Sequence, residues 1–432
     1  MRSIEITPNP SMMDEEIQIV IKNLYPGQHI TVYSQVQERK TLFRSHAHFI
    51  VDLNGVVNLA SDNSFGGCYT GVSPMGILWS LQPVNEKGGF KPARYLPRKV
   101  MDPQEFVLRV YDGHLNMKEI DRYHKEGKLL TEDTVLRKFC SDGIMRHEVN
   151  HGRLRGVIFK PKGPGPFKGV IDMYGGNGGI VEFRAALLAS HGFVAYTLPY
   201  FKYKDLPEDI PDVEIEYFIE AIQYFQTLDY VQPGISLIGL SFGGGLIVFL
   251  STMANLGITG VVPIGAPHYI QFPMKWKGGF YPDPQKCDLT DFDGCDFEPD
   301  EYGGIYGASL IYGESCDHYT TPIEKCSKST KYLFIVGLQD GNIDAKRSFE
   351  VLNQRMIKHN KENQVTALVY PKTGHFVDPP HMPQTVFGLY FAQYDTIFRC
   401  GGTLQENNAA CRHSWKAMLQ FLNRNTGSSS KL

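Results

Sequence analysis

Three residues spread along 432 positions could together open a carbonyl. They are Ser241 in Gly239-Leu240-Ser241-Phe242-Gly243, Asp340 in Gly337-Leu338-Gln339-Asp340-Gly341, and His375 in Lys372-Thr373-Gly374-His375. A serine hydroxyl is a poor nucleophile at neutral pH and needs an imidazole to take its proton. The imidazole in turn needs a carboxylate to fix its tautomer and orientation. Serine, then acid, then histidine is one of the chain orders in which this chemistry occurs. Other residues compete for two of the roles. His381 and His268 also lie near strand ends, but His381 sits among prolines with no strand-exit turn. Asp344 stands four residues beyond Asp340, and Asp378, before Pro379-Pro380, reads as a turn cap.

The serine pentapeptide gains weight from its flanks. Ile235-Ser236-Leu237-Ile238 precedes it as an apolar strand, and Gly244-Gly245-Leu246-Ile247-Val248-Phe249-Leu250 follows as a helix. G-x-S-x-G between strand and helix is a nucleophile elbow, whose turn exposes the hydroxyl and aims the next residue's N–H, here that of Phe242, at the developing oxyanion. A second oxyanion donor is expected from Gly175-Gly176-Asn177-Gly178-Gly179, at Gly175 or Gly176. Without side chains, the backbone there can approach a reacting carbonyl. No Gly-Lys-Ser/Thr follows this turn, so it is not a phosphate-binding P-loop.

Such a set must stand on a rigid sheet. From Val149 onward strands and helices alternate: strand 156–159, strand 169–174, helix 181–191, strand 193–198, helix 212–229 and strand 235–240. Helix 212–229 carries an apolar stripe of Val213, Tyr217, Ile219, Ala221 and Tyr224. Strands at 261–265, 332–337 and 366–370 and a terminal helix at 413–422 complete the pattern. Alternation of this kind predicts a mostly parallel sheet covered on both faces, and with the elbow it predicts an α/β-hydrolase domain. Asp340 and His375 then fall at carboxyl ends of late strands, on the rim where open α/β sheets bind ligands.

Residues 13–60 obey a different period. Ile17, Ile19 and Ile21 share one face, and so do Phe43, Ala47, Phe49 and Val51, with Arg44, His46 and His48 pointing away. Phe106, Leu108 and Val110 repeat the alternation, and Gly-containing turns separate the runs. This predicts an antiparallel β-sandwich. Ser73–Leu81 reads as a short helix or loop, and 113–143 as a charged linker with a helix over Met117–Lys125 that stops near Gly127. The expected organisation is a sandwich over 1–135, the hydrolase domain over 136–425 and a tail over 426–432.

Composition narrows the function classes. A net charge of −3 with mixed signs gives no reason to expect a nucleic-acid partner. No run of 18 apolar residues is present, so no membrane-spanning helix is expected. The first residues lack the apolar core of a secretory signal. The chain ends Ser430-Lys431-Leu432, the peroxisomal address, which would engage an import receptor. Import from the cytosol implies reduced thiols for the eight cysteines. Cys287, Cys295, Cys316 and Cys326 crowd one insertion but form no C-x-x-C pair, which argues against zinc. His46 and His48 could share a metal, yet no third ligand stands near, and they read as solvated. No metal and no cofactor is expected.

The whole chain resembles the acyl-CoA thioesterases related to bile acid-CoA:amino acid N-acyltransferase. The phrases that carry the resemblance are Ile6-Thr7-Pro8-Asn9-Pro10, Gly76-Ile77-Leu78-Trp79-Ser80 and the run Ile171 to Arg184. The elbow and Tyr370-Pro371-Lys372-Thr373-Gly374-His375-Phe376-Val377-Asp378-Pro379-Pro380 complete the set. By position the resemblance implies Ser241 as nucleophile, Asp340 as acid and His375 as base, acting on an acyl-CoA substrate. The conjugating branch uses cysteine as nucleophile and the hydrolases use serine, so a serine here implies water as acceptor. Transfer to glycine or taurine is the alternative. The chain departs from the family at Phe242, where a lysine or similar residue is common, and in the length of the 277–330 insertion.

Overall fold

The computed structural model describes residues 1–85, 92–283, 304–305, 318–391 and 396–424. Cys287, Cys295, Cys316 and the 426–432 tail lie outside the described residues. The chain divides into two units, Met1–Cys140 with Pro379–Tyr390, and Ser141–Asp378 with Phe391–Leu432.

The first unit holds two sheets. Strands β1 (Ser3–Thr7), β3 (Gln18–Lys22) and β6 (Val57–Asn58) form the smaller one. The larger runs in the order β2-β9-β8-β4-β5-β7, with β2 (Ser11–Met12), β4 (His29–Glu38), β5 (Thr41–Ile50), β7 (Gln82–Val84), β8 (Gln104–Asp112) and β9 (Leu129–Lys138). All pairings are antiparallel except β2 with β9. The alternating residues read from sequence form the core: Ile19, Ile21, Phe43, Ala47, Phe49, Phe106, Leu108 and Val110 are all buried. A short helix α1 (Gly76–Trp79) stands between β6 and β7. Helix α2 spans Met117–Lys125, where Asn116 and Glu119 close a capping box. Residues 379–390 join this unit through Gln384, whose N–H donates to the Trp79 carbonyl at 2.9 Å and whose carbonyl accepts from Gln82 at 3.0 Å.

Two expectations need correction. The supposed linker contains β9, a ten-residue strand paired along β8. Its Thr131-Glu132-Asp133-Thr134 stretch is polar, and one inward position is filled by Arg137 instead of a hydrophobe, so the period-two signal is lost. The fully buried Arg137 is held by Ser11 Oγ and the carbonyls of Met13 and Glu15. Nor do Arg44, His46 and His48 simply point into water. Arg44 is buried against Tyr33 and Asp121. His48 stacks on His114 with ring centres 4.7 Å apart, His114 stacks on His29 at 4.5 Å, and His46 meets His48 at 5.3 Å. His48 and His114 donate from Nε2 to the carbonyls of Leu115 and Phe49.

The second unit carries an eight-stranded sheet ordered β10-β11-β13-β12-β14-β15-β19-β20. These strands are β10 (Met145–His151), β11 (Leu154–Lys160), β12 (Gly169–Met173), β13 (Val194–Thr197), β14 (Ile235–Leu240), β15 (Ile258–Ile264), β19 (Lys331–Gly337) and β20 (Val365–Tyr370). From β13 to β20 the strands are parallel, and β10 and β11 add an antiparallel edge. Helices α3 (Phe183–Ser190), α4 (Ile215–Gln226), α5 (Phe242–Ser251), α6 (Ala345–Lys358) and α7 (Leu404–Arg424) complete the α/β alternation. Short pieces β16 (Met274–Trp276), β17 (Gly279–Tyr281), β18 (Gly304–Ile305) and β22 (Thr396–Arg399) lie off the main sheet, and β21 (Phe387–Phe391) begins in the 379–390 segment of the first unit. Helix α5 is buried along its whole length, as its uniformly apolar sequence requires. The inward face of α4 is Ile215, Tyr217, Phe218, Ala221, Ile222 and Phe225, with Ile219 and Tyr224 at its margin, a slight rotation from the expected stripe. Cys68, Cys140, Cys326, Cys400 and Cys411 are in no disulfide.

The histidine stack makes the first unit acid-sensitive. Burial, then the neighbouring His48 and Arg44, lowers His46 from 6.5 to about 4. As pH falls through that window the unfolded chain binds a proton that the folded chain refuses, so the His46 contribution to stability declines there and is constant above it. Thermal unfolding followed by intrinsic fluorescence should show the melting temperature falling between about pH 6.5 and 4. His46→Gln should flatten that slope, and an unchanged slope would exclude His46 as its source.

Candidate active site

The topology fixes where a site can form. From β12 the chain turns to β13 on one side and then crosses to β14 on the other. The carboxyl ends of β12 and β14 therefore flank a switch point, where open α/β sheets bind ligands. The Gly175–Gly179 turn leaves one and Ser241 leaves the other.

Ser241 has φ 60° and ψ −129°, backbone that side-chain-bearing residues rarely adopt. It is held there by its own N–H, which donates to the Ile264 carbonyl at 2.8 Å, and by its carbonyl, which accepts from Gly244 at 2.7 Å. The flanking glycines are required by space. A Cβ at Gly239 would lie 2.3 Å from the Gly243 carbonyl oxygen, and one at Gly243 would lie 2.6 Å from that of Tyr174. Phe242 opens α5, so its N–H belongs to the first turn and has no partner within the helix. Across the switch point Gly175 runs so close that a Cβ on it would meet Ser241 Cβ at 2.8 Å and Oγ at 3.3 Å. Gly176 faces the half-exposed Phe272, which also packs on Phe242.

Asp340 and His375 come together. Their strands β19 and β20 are adjacent, and the Asp340 Oδ2 to His375 Nδ1 distance is 2.7 Å, with both side chains buried. The other carboxylate oxygen accepts from the N–H groups of Asn342 and Ile343, at 2.9 and 3.0 Å. An acid held by three hydrogen bonds cannot easily swing, and an imidazole donating from Nδ1 presents Nε2 as its basic nitrogen. The competitors are occupied otherwise. Asp344 caps α6 through the Arg347 N–H, and His268 is buried against Ser348. His381 belongs to the segment that packs with the first unit. Asp378 lies 3.4 Å from the Tyr174 hydroxyl.

Behind the glycine turn stands a feature that single-residue reading missed. Asp172, on β12, and Arg184, on α3, form an ion pair with each about 1% exposed, and the guanidinium covers the Tyr174 ring at 4.3 Å. Burial pushes the Asp172 carboxyl up against the pull of Arg184. A guanidinium does not release its proton under these conditions, so Arg184 is a buried cation held against the Asp172 carboxyl. Both residues stood in the quoted Ile171–Arg184 run, whose twelve-residue spacing offers no local pattern that pairs them. Among the described residues no group of three His, Cys, Asp or Glu is arranged to hold a metal ion.

Sheet, elbow and rim define an α/β-hydrolase. The family is visible across the whole chain. Residues 14–151 match the acyl-CoA thioester hydrolase/BAAT N-terminal region, and residues 213–428 match the BAAT/acyl-CoA thioester hydrolase C-terminal region. Relatives include the peroxisomal succinyl-coenzyme A thioesterase of Mus musculus, 32% identical across 97% of this chain and 95% of that one. Acyl-coenzyme A amino acid N-acyltransferase 2 of Mus musculus is 32% identical across 97% and 96%. Acyl-coenzyme A thioesterase 1 of Homo sapiens is 31% identical across 96% and 94%. The chain belongs to the acyl-CoA thioesterase and bile acid-CoA:amino acid N-acyltransferase family.

The Asp340–His375 pair can be tested through its floor. Gly265 has φ 50°, and a Cβ there would stand 3.0 Å from Asp340 Oδ2 and 3.1 Å from His375 Nδ1. Gly265→Ala should therefore lower kcat by roughly 10- to 100-fold, the scale of a misplaced catalytic group. A kcat unchanged in a folded variant would show that the pair tolerates displacement.

Proposed function

We propose that this protein hydrolyses acyl-CoA thioesters through an acyl-Ser241 intermediate, with Asp340 and His375 completing the triad. The observation that supports it most is the buried Asp340–His375 contact, on the same sheet rim as a serine held at positive φ. Family membership supplies the substrate class.

In this reading His375 Nε2 takes the Ser241 proton as Oγ attacks the thioester carbonyl carbon. The oxyanion rests on the Phe242 N–H and on one from Gly175 or Gly176. The C–S bond then breaks and the coenzyme A sulfur leaves with the proton held by His375. Its thiol pKa of roughly 8.5, by analogy with cysteine, means that little acid assistance is needed. Water, deprotonated by His375, attacks the acyl-serine and releases the carboxylic acid. Phe272, half-exposed beside Phe242 and Gly176, offers apolar surface at the mouth for an acyl group. The Ser430-Lys431-Leu432 ending supports peroxisomal import as part of the same reading, in keeping with the name of one relative.

Transfer of the acyl group to an amine is the second reading, favoured by the N-acyltransferase among the relatives. It shares every residue of the first half-reaction. Against it stands the ester intermediate, which an amine attacks less readily than it attacks a thioester.

Thiol release from a panel of acyl-CoAs, with and without glycine or taurine, separates the readings. Release should need no amine and should vanish in Ser241→Ala, and Asp340→Asn should lose about 10³- to 10⁴-fold in kcat. Release that persists in Ser241→Ala would refute the acyl-serine, and turnover only in the presence of an amine would establish the transferase.

A further inference from the structure

We infer that Tyr200 is a positioning residue for the oxyanion hole, holding both of its halves. The inference rests on the serine reading above and adds a residue that lies in neither the elbow nor the glycine turn.

The argument begins with peptide geometry. Tyr200 directs its hydroxyl at the Tyr174 carbonyl oxygen and, at 3.1 Å, at that of Gly175. Those oxygens belong to the 174–175 and 175–176 peptides, whose N–H groups are carried by Gly175 and Gly176. Both peptides are trans, so each N–H points opposite to its carbonyl. One phenol proton shared by two carbonyls therefore sets the direction of both candidate donors. Gly175 lies directly against Ser241, so donors turned away from Tyr200 belong to the strip of backbone that borders the nucleophile.

The ring of Tyr200 reaches the other half. Its centre is 6.1 Å from that of Phe242, whose N–H is the second donor, and 5.3 Å from Phe218 on α4. Tyr200 is 3% exposed. Burial raises its phenol far above the ordinary range, so it donates at every working pH. The residue before it is anchored too: the Pro199 carbonyl accepts from the Tyr217 hydroxyl at 2.8 Å. A glycine-rich turn has little intrinsic stiffness. Here the stiffness comes from outside the turn, from a hydroxyl fixed in the aromatic layer of the core.

The test is Tyr200→Phe in the full chain, with Tyr196→Phe, whose hydroxyl donates to the Arg155 carbonyl, as a control in the same core that leaves the 174–176 peptides and the Pro199 anchor untouched. Tyr200→Phe should lower kcat roughly 10- to 100-fold, below the loss for deleting an oxyanion donor outright. KM should be little changed, as should the fraction of Ser241 that an organophosphate titrates. Affinity for a trifluoromethyl ketone analogue of the acyl chain, which forms an oxyanion adduct, should weaken by the same factor as kcat/KM. Tyr196→Phe should show neither change. Site-specific 4-aminophenylalanine at position 200, which keeps a donor in place, should retain most of kcat and stands in if Tyr200→Phe fails to fold. Wild-type kcat in Tyr200→Phe, equal losses in both tyrosine variants, or a 4-aminophenylalanine protein slower than wild type by about tenfold or more, would each overturn the inference. Activity surviving in Ser241→Ala would instead overturn the serine reading on which it rests.

Discussion

The structure turns on the close approach of three backbone segments at the end of β14. Ser241 can hold its positive φ only because Gly239, Gly243 and Gly175 leave no side chain between strand, helix and turn. A nucleophile on a relaxed backbone would lie down along the strand or the helix. The strain lifts it, and the hydrogen bonds from Ser241 to Ile264 and from Gly244 to Ser241 keep it lifted. Helix α5 cannot slide to relieve the strain, since it is buried over its full length. Core packing of the second unit is therefore what supports an outlier at its rim, in the way strained functional residues generally require.

From that fixed point the remaining groups follow by strand order. β15 and β19 separate β14 from β20, and the sheet sets the Asp340 and His375 loops side by side because β19 and β20 are neighbours in register from Tyr332 and Val365 to Gly337 and Tyr370. Asp340 has no freedom left: two backbone N–H groups hold one oxygen and the imidazole holds the other. On the opposite side of Ser241 the stiffening comes from aromatic rings and one phenol. A loop that must keep N–H groups unobstructed cannot stiffen itself with side chains.

Much of this was legible in the chain. The elbow, the alternation of strands and helices after Val149 and the period-two runs before residue 110 are local patterns, and local patterns survive in sequence. Helix Met117–Lys125 was legible to the residue because its cap is local. What stayed hidden was non-local. β9 hid behind a polar face and the inward Arg137, which only Ser11, Met13 and Glu15, more than a hundred residues away in sequence, make acceptable. The histidine stack hid because His29 and His114 lie on other elements than His46 and His48. Tyr200 carries no motif at all, and only the fold brings its hydroxyl to peptides 25 and 26 residues earlier.

The placement of charge is consistent with the proposed chemistry. An oxyanion is stabilised best by dipoles already pointing at it, because dipoles need no reorganisation and a bare buried cation would bind a carboxylate product as tightly as the transition state. Arg184 is the strong cation behind the glycine turn, and Asp172 neutralises it where both are sealed from water. What remains of its influence reaches the turn through the Tyr174 ring, as packing under a peptide. Tyr200, kept neutral by burial, orients the turn without adding charge. In the proposed chemistry two tasks are separate: charge is paired one layer down to fix position, and backbone N–H groups receive the oxyanion. That division would suit the proposed hydrolysis, whose product, a carboxylate, must leave.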